Sequence, residues 1–142
     1  DKLIKEEIMD SIYGSDLMQQ KTHVNIISID QQVLLIGQVM AEKQTVLCTN
    51  IAKKHRYVKK VYNLLEIAAP TTPTIRAHDA WITLKIKGQL IANPLLKSSQ
   101  ILVQTENSIV YLVGIINKHH VPMVVDIAKK VFGVKKVIKF FI

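Results

Sequence analysis

The chain repeats itself. Val33-Leu34-Leu35-Ile36-Gly37 returns as Val110-Tyr111-Leu112-Val113-Gly114 at an offset of 77. Ile51-Ala52-Lys53-Lys54 returns as Ile127-Ala128-Lys129-Lys130, and Val58-Lys59-Lys60-Val61 as Val134-Lys135-Lys136-Val137, both at an offset of 76. Three blocks in one order, with a single residue lost between the first and second, mark an internal duplication. A unit of about 70 residues is too long for a solenoid repeat and long enough for a small domain with its own core. The chain therefore reads as two copies of one fold, and its function is expected where the copies differ.

Within the first copy, Ile4, Ile8 and Ile12 recur every four residues among Lys and Glu, the apolar stripe of an amphipathic helix over residues 2–13 that Gly14 ends. His23 to Ile29 and Val33 to Met40 are rich in Val and Ile and flank Asp30-Gln31-Gln32, which predicts a hairpin. A helix over Glu42 to His55 and a closing β-run over Val58 to Ile67 follow. The second copy keeps this order. Asp79 is predicted to cap a helix running to about Ala92, and strands follow at Ile101 to Thr105 and Ile109 to Ile116 around Glu106-Asn107-Ser108. A helix opens near Pro122, whose missing N–H suits a first turn. Gly133 closes that helix, and Val134 to Ile142 is the last strand. Each unit is thus α+β in class, in the order α-β-β-α-β: a small three-stranded mixed sheet against two helices. The expected boundaries are residues 1–68 and 77–142. Residues 69–76, with Pro70 and Pro73, are read as an extended linker.

With 49% hydrophobic residues and few Gly or Pro, the chain is globular. No apolar run approaches the roughly 18 residues that would cross a bilayer. The chain opens at Asp1 with no signal-like segment, which leaves open whether a targeting sequence stands upstream. Cys48 is the single cysteine, so no intrachain disulfide or cysteine-based metal cluster is available. Set among Val46, Leu47 and Ile51, it reads as a buried structural thiol.

Charge separates the copies. Residues 1–69 hold nine Lys/Arg and eight Asp/Glu, a net of +1, whereas residues 70–142 hold ten and three, a net of +7. Two copies of one fold need similar surfaces, so the second is adapted to something anionic. Charge alone does not choose between nucleic acid, acidic protein and anionic lipid.

The β-run ending in Leu-x-Gly, the Ile-Ala-Lys-Lys helix and Gly133-Val134-Lys135-Lys136-Val137 resemble the BON domain. The tandem arrangement, Val61-Tyr62-Asn63 before the linker and Trp81-Ile82-Thr83-x-Lys85 after it, resembles the dual BON-domain lipoproteins of the Gram-negative envelope. Gln89-Leu90, Leu96-Lys97-Ser98-Ser99 and Thr105-Glu106-Asn107 belong to the same likeness, which covers nearly the whole chain. The resemblance implies a periplasmic protein anchored to the inner leaflet of the outer membrane by an acylated Cys upstream of Asp1. It implies support of envelope integrity and binding of anionic phospholipid through the first helix of the second domain, with no enzymatic activity and no cofactor. One departure stands out: Tyr57 occupies the place of the glycine represented by Gly133. Its ring is read either as packing between the domains or as part of a different loop.

The residues of that helix carry a second signal. At 100° per residue, Ile82, Ile86 and Leu90 share one side with Gln89 and match Ile4, Ile8 and Ile12, the core face. Opposite lie Trp81, Leu84, Gly88 and Ile91, flanked by Lys85 and Lys87 and extended beyond the helix by Leu95. Apolar residues on two opposed faces call for a second partner. A Trp, aliphatics and flanking lysines suit the boundary of an anionic bilayer. The same face could instead cover the first domain, or bind a protein of the envelope. Nucleic acid is the remaining alternative, but there is no GXXG loop and no aromatic pair on the strands. His119-His120 has no third ligand nearby in sequence and reads as an exposed turn, not a metal site. The recurring Lys pairs read as solvated helix ends and strand edges. No phosphate loop, paired carboxylates or Ser/His/Asp set is present, so no active site is read.

Overall fold

Helix α1 (Lys2–Tyr13) turns Ile4, Ile8 and Ile12 inward, and each side chain so buried contributes about 1.5–3 kcal/mol. The computed structural model describes residues 1–18 and 22–142, which divide into one unit over Asp1–Thr71 and another over Thr72–Ile142. In the first unit α1 packs against a hairpin of β1 (His23–Ile29) and β2 (Gln32–Val39). Helix α2 (Glu42–Lys54) then crosses over to β3 (Lys60–Asn63), which pairs parallel with β2, as a parallel neighbour requires. Cys48 and Ala52 of α2 complete the core with Val24, Ile26, Val33 and Leu35.

The second unit repeats the plan. Helix α3 (Pro73–Ala92) packs on β5 (Ile101–Glu106). That strand pairs antiparallel with β6 (Ile109–Gly114), and α4 (Val121–Lys129) leads to β7 (Lys136–Phe141), parallel to β6. Ile82, Ile86 and Leu90 meet Val103, Val110, Leu112, Val124 and Ala128 in its core. Gly37 and Gly114, the ends of the repeated block, share one cause. A Cβ at Gly37 would collide with the His23 carbonyl oxygen, and one at Gly114 with that of Gln100. The start of the neighbouring strand, or the residue just before it, leaves no room for a side chain.

Several expectations are corrected. The closing run of the first unit is not one strand: it breaks after β3 and resumes as β4 (Glu66–Ile67), which also pairs parallel with β2. Asn63 makes the break. Its amide donates to the Thr45 carbonyl oxygen (3.0 Å) and to Thr49 Oγ1 (2.6 Å), while its Oδ1 accepts from the Leu65 N–H (3.1 Å). The turns are also tighter than three residues, because Gln32 and Glu106 belong to strands. Asp30 and Gln31 lie at φ of 50° and 61°, and Asn107 and Ser108 at 52° and 64°. These are two-residue turns with both positions left-handed, a conformation that favours Asn-Gly or Asp-Gly.

Helix α3 begins within the segment expected as linker. Thr72 caps it, accepting from the Ile75 N–H at 3.2 Å, and Pro73 fills the first turn, where proline costs no hydrogen bond. Asp79 is therefore no cap but an interior, buried residue. Its carboxylate accepts from the N–H of Asn107 (2.9 Å) and of Ser108 (2.8 Å), holding the left-handed turn. Asp1 does the same in the first unit, accepting from the N–H of Asp30 (3.0 Å) and Gln31 (3.1 Å) and from the Ser28 hydroxyl (2.9 Å). At Tyr57 the loop is rebuilt: Gly133 sits at φ +92°, whereas Tyr57 is not among the positive-φ positions. Its N–H donates to His55 Nδ1 (3.2 Å), and its exposed ring lies under Arg56, 4.7 Å from the guanidinium carbon.

Asp79→Ala removes both acceptors from two turn amides. It is expected to destabilise the second unit by about 1–3 kcal/mol, read as a lower urea midpoint by Trp81 fluorescence, since Trp81 is the single tryptophan. Burial pushes the Cys48 thiol up to about 11, so the unfolded chain ionises first, near 8.5. Stability of the first unit is full below that value and falls as pH rises from there to about 11. In Cys48→Ala that alkaline loss is expected to be smaller, as measured by urea titration at a series of pH values.

Candidate functional site

Because α3 buries only one side, its other side is a continuous exposed face. Leu84 is 68% exposed, Ile91 71%, Leu95 64% and Trp81 41%. Trp81 leans on His78, one turn earlier, with ring centroids 5.8 Å apart and planes 19° from parallel. Lys85 Nζ lies 5.6 Å from the centre of the Trp81 ring, a cation–π contact that keeps a positive charge beside the apolar face. Trp81, Leu84, Lys85, Gly88 and Gln89 line a shallow hollow. Lys87 stands on the opposite border of the face and is exposed. All the sequence-predicted site residues within α3 thus point outward, and Leu95 follows just beyond it. Gln89 departs from its expected place on the core side: it is exposed and borders the hollow.

Gly88 owes nothing to crowding, since a Cβ there would meet no atom within 4 Å. A mid-helix glycine costs roughly 0.5–1 kcal/mol relative to alanine. What it leaves is space beside Trp81.

The acidic groups of this unit are few and engaged. Among the acids of residues 70–142, Asp79 is buried on the turn and Glu106 is buried. Asp126 pairs with Lys130 at 2.8 Å, which raises the lysine's pKa chiefly through that hydrogen bond. The exposed field is therefore set by lysines. Helix α1 has no such face: Leu3 is exposed at the place of Trp81, but Glu6, Glu7 and Asp10 are exposed at those of Leu84, Lys85 and Gly88. Tyr13 is partly exposed but tied to β1, donating to the Val24 carbonyl oxygen (3.2 Å) and accepting from the Val24 N–H (2.9 Å).

His119 and His120 fall in a short 3-10 turn over Lys118–His120. Among the described residues, no three His, Cys, Asp or Glu side chains converge as a metal site. No helix among them is long and apolar enough to cross a membrane. Sequence reasoning missed two participants. The helix expected from sequence starts at Asp79, which leaves His78 just outside it and makes Asp79 a cap; the Thr72-Pro73 pair is the signal that places both inside the helix.

The sequence pattern of the BON domain matches residues 1–69 and again residues 78–142. The chain belongs to the BON-domain family. Relatives match across both units. The outer membrane lipoprotein DolP of Haemophilus influenzae is 30% identical over 141 residues, covering 99% of this chain and 73% of that protein. The 21 kDa hemolysin of Actinobacillus pleuropneumoniae is 28% identical, covering 98% of this chain and 72% of its own. A solved structure of the C-terminal domain of CdsD, a structural protein of the type III secretion system of Chlamydia trachomatis, aligns with 99% of this chain and 65% of its own. It does so at 16% identity and a TM-score of 0.38.

Gly88→Ala in the second BON unit is expected to raise stability by about 0.5–1 kcal/mol, since the new methyl group meets open space. Urea unfolding followed by Trp81 fluorescence checks this.

Proposed function

We propose that the chain is a non-enzymatic envelope protein that binds anionic phospholipid through the outer face of α3 and supports outer-membrane integrity. The observation that carries the reading is the exposure of Leu84, Ile91 and Leu95 beside Trp81 on one side of a helix whose other side is fully packed. In water such a face is unfavourable. At a bilayer surface the indole sits among headgroups, the aliphatics reach the acyl boundary, and Lys85 and Lys87 meet phosphates. The engaged state of Asp79, Glu106 and Asp126 means that little negative charge opposes the approach.

Magnitudes favour a weak, reversible contact. Two or three partly inserted apolar side chains give at most about 1.5–3 kcal/mol each, and each well-placed lysine gives about 1 kcal/mol. Immobilisation offsets part of this, leaving several kcal/mol and an affinity from roughly millimolar to micromolar. That suits a protein already held at a membrane by an acyl chain. The DolP relative is named an outer membrane lipoprotein. By analogy we place the chain in the periplasm, anchored to the inner leaflet of the outer membrane by a lipidated Cys upstream of Asp1.

Titration with phosphatidylglycerol vesicles is expected to shift Trp81 emission to the blue, more at low salt than high, while phosphatidylcholine vesicles leave it unchanged. Joint Trp81→Ala and Ile91→Ala substitution is expected to weaken co-sedimentation with phosphatidylglycerol vesicles at least tenfold, about 1.4 kcal/mol. Undiminished binding by that variant would sink the reading. Silence of Trp81 toward both lipids would redirect the face to a protein partner.

A further inference from the structure

The largest exposure of any large apolar side chain among the described residues belongs not to α3 but to Phe132, at 84%. It stands between α4 and β7, and the chain around it is fixed. Val131, immediately before it, is buried; the Val134 N–H donates to the Val131 carbonyl oxygen at 3.3 Å and the Lys135 N–H to that of Ser108 at 2.9 Å. Gly133, at φ +92°, completes the turn. Phe132 is thus the tip of an ordered turn pinned on both sides. The fold itself does not ask for an aromatic there, since the first unit carries Arg56 at the equivalent place.

Two observations say what would cover it. The turn adjoins the α3 face: a Cβ on Gly133 would lie 2.5 Å from His78 Cε1, and His78 stacks on Trp81. Its flanks are cationic, with Lys129 on one side and Lys135 and Lys136 on the other, all exposed. An exposed aromatic with exposed lysines on both sides of it in the chain complements an apolar layer beneath a plane of anionic headgroups.

We propose that Phe132 enters the same anionic bilayer as the α3 face and forms a second anchor of the second BON unit. Lys129, Lys135 and Lys136 then contact phosphates around it. The inference rests on the reading of α3 as lipid-binding, and adds to it a contact from a different element. A single helix could roll about its long axis on the surface; a second point of insertion off that axis fixes the roll.

The test uses the full chain in which Trp81→Phe and Phe132→Trp move the single indole to the turn. Phosphatidylglycerol vesicles are expected to shift its emission to the blue, and acyl-brominated phosphatidylglycerol to quench it. In the otherwise unchanged protein, Phe132→Ala is expected to weaken vesicle co-sedimentation about fivefold while leaving the urea midpoint unaltered. An indole at the turn that neither shifts nor is quenched, in a variant that still co-sediments with the vesicles and while Trp81 of the unsubstituted chain does shift, overturns the second anchor and leaves the α3 reading standing. If Trp81 itself stays silent on phosphatidylglycerol, the α3 reading fails and this inference fails with it.

Discussion

In each unit a carboxylate holds the two amides of a hairpin turn: Asp1, at the cap of α1, on Asp30 and Gln31, and Asp79, inside α3, on Asn107 and Ser108. The turns need it. Two consecutive residues with side chains at positive φ are costly, and neither turn has the glycine that would relieve them. A charged acceptor bonded to both amides offsets that cost, because such bonds are stronger than neutral ones. The same bonds fix the helix on the sheet at one rotation. Ile82, Ile86 and Leu90 then face the strands, and Trp81, Leu84 and Ile91 have no alternative but to face out. The outer face of α3 follows from how firmly its inner face is oriented.

The duplication, the order of elements and both isoleucine stripes were legible because they rest on periodicity, which burial on one side of a helix or sheet writes directly into sequence. What was not legible depends on single long-range hydrogen bonds. Asp79 has the composition of a cap and the position of a cap in a helix that began there. Only the contact with a turn 28 residues later reveals its role. Proline misled in the same region, since Pro73 marks the start of α3 and not the end of order. The break between β3 and β4 likewise hangs on the Asn63 amide and its partners on α2, which no local pattern records.

Of the candidate site, the outward placement of Trp81, Leu84, Ile91 and Leu95 was readable because an apolar residue on a second helical face has no local excuse. Their surroundings were not. His78 stacks on Trp81 and also abuts the turn at Gly133, joining two stretches of sequence more than fifty residues apart. The loss of glycine at Tyr57 has a matching explanation. With no left-handed residue there, the chain leaves α2 through an extended His55 and places Arg56 over the tyrosine ring. The first unit thereby keeps the family architecture, with Arg56 and the tyrosine it covers in place of Phe132 and Gly133, and without the apolar face of α3.

The engagement of Asp79, Glu106 and Asp126 has a consequence for motion through solution. With its carboxylates buried or paired and its lysines exposed, the second unit carries a field of nearly one sign, while the first is close to neutral. The excess positive charge of the chain therefore sits in its second unit. Near an anionic surface that unit is attracted more strongly than the first before any atom touches, over a range of roughly 8 Å at physiological ionic strength. Encounters then begin more often with the basic unit leading, and less of each collision is lost to rotational search.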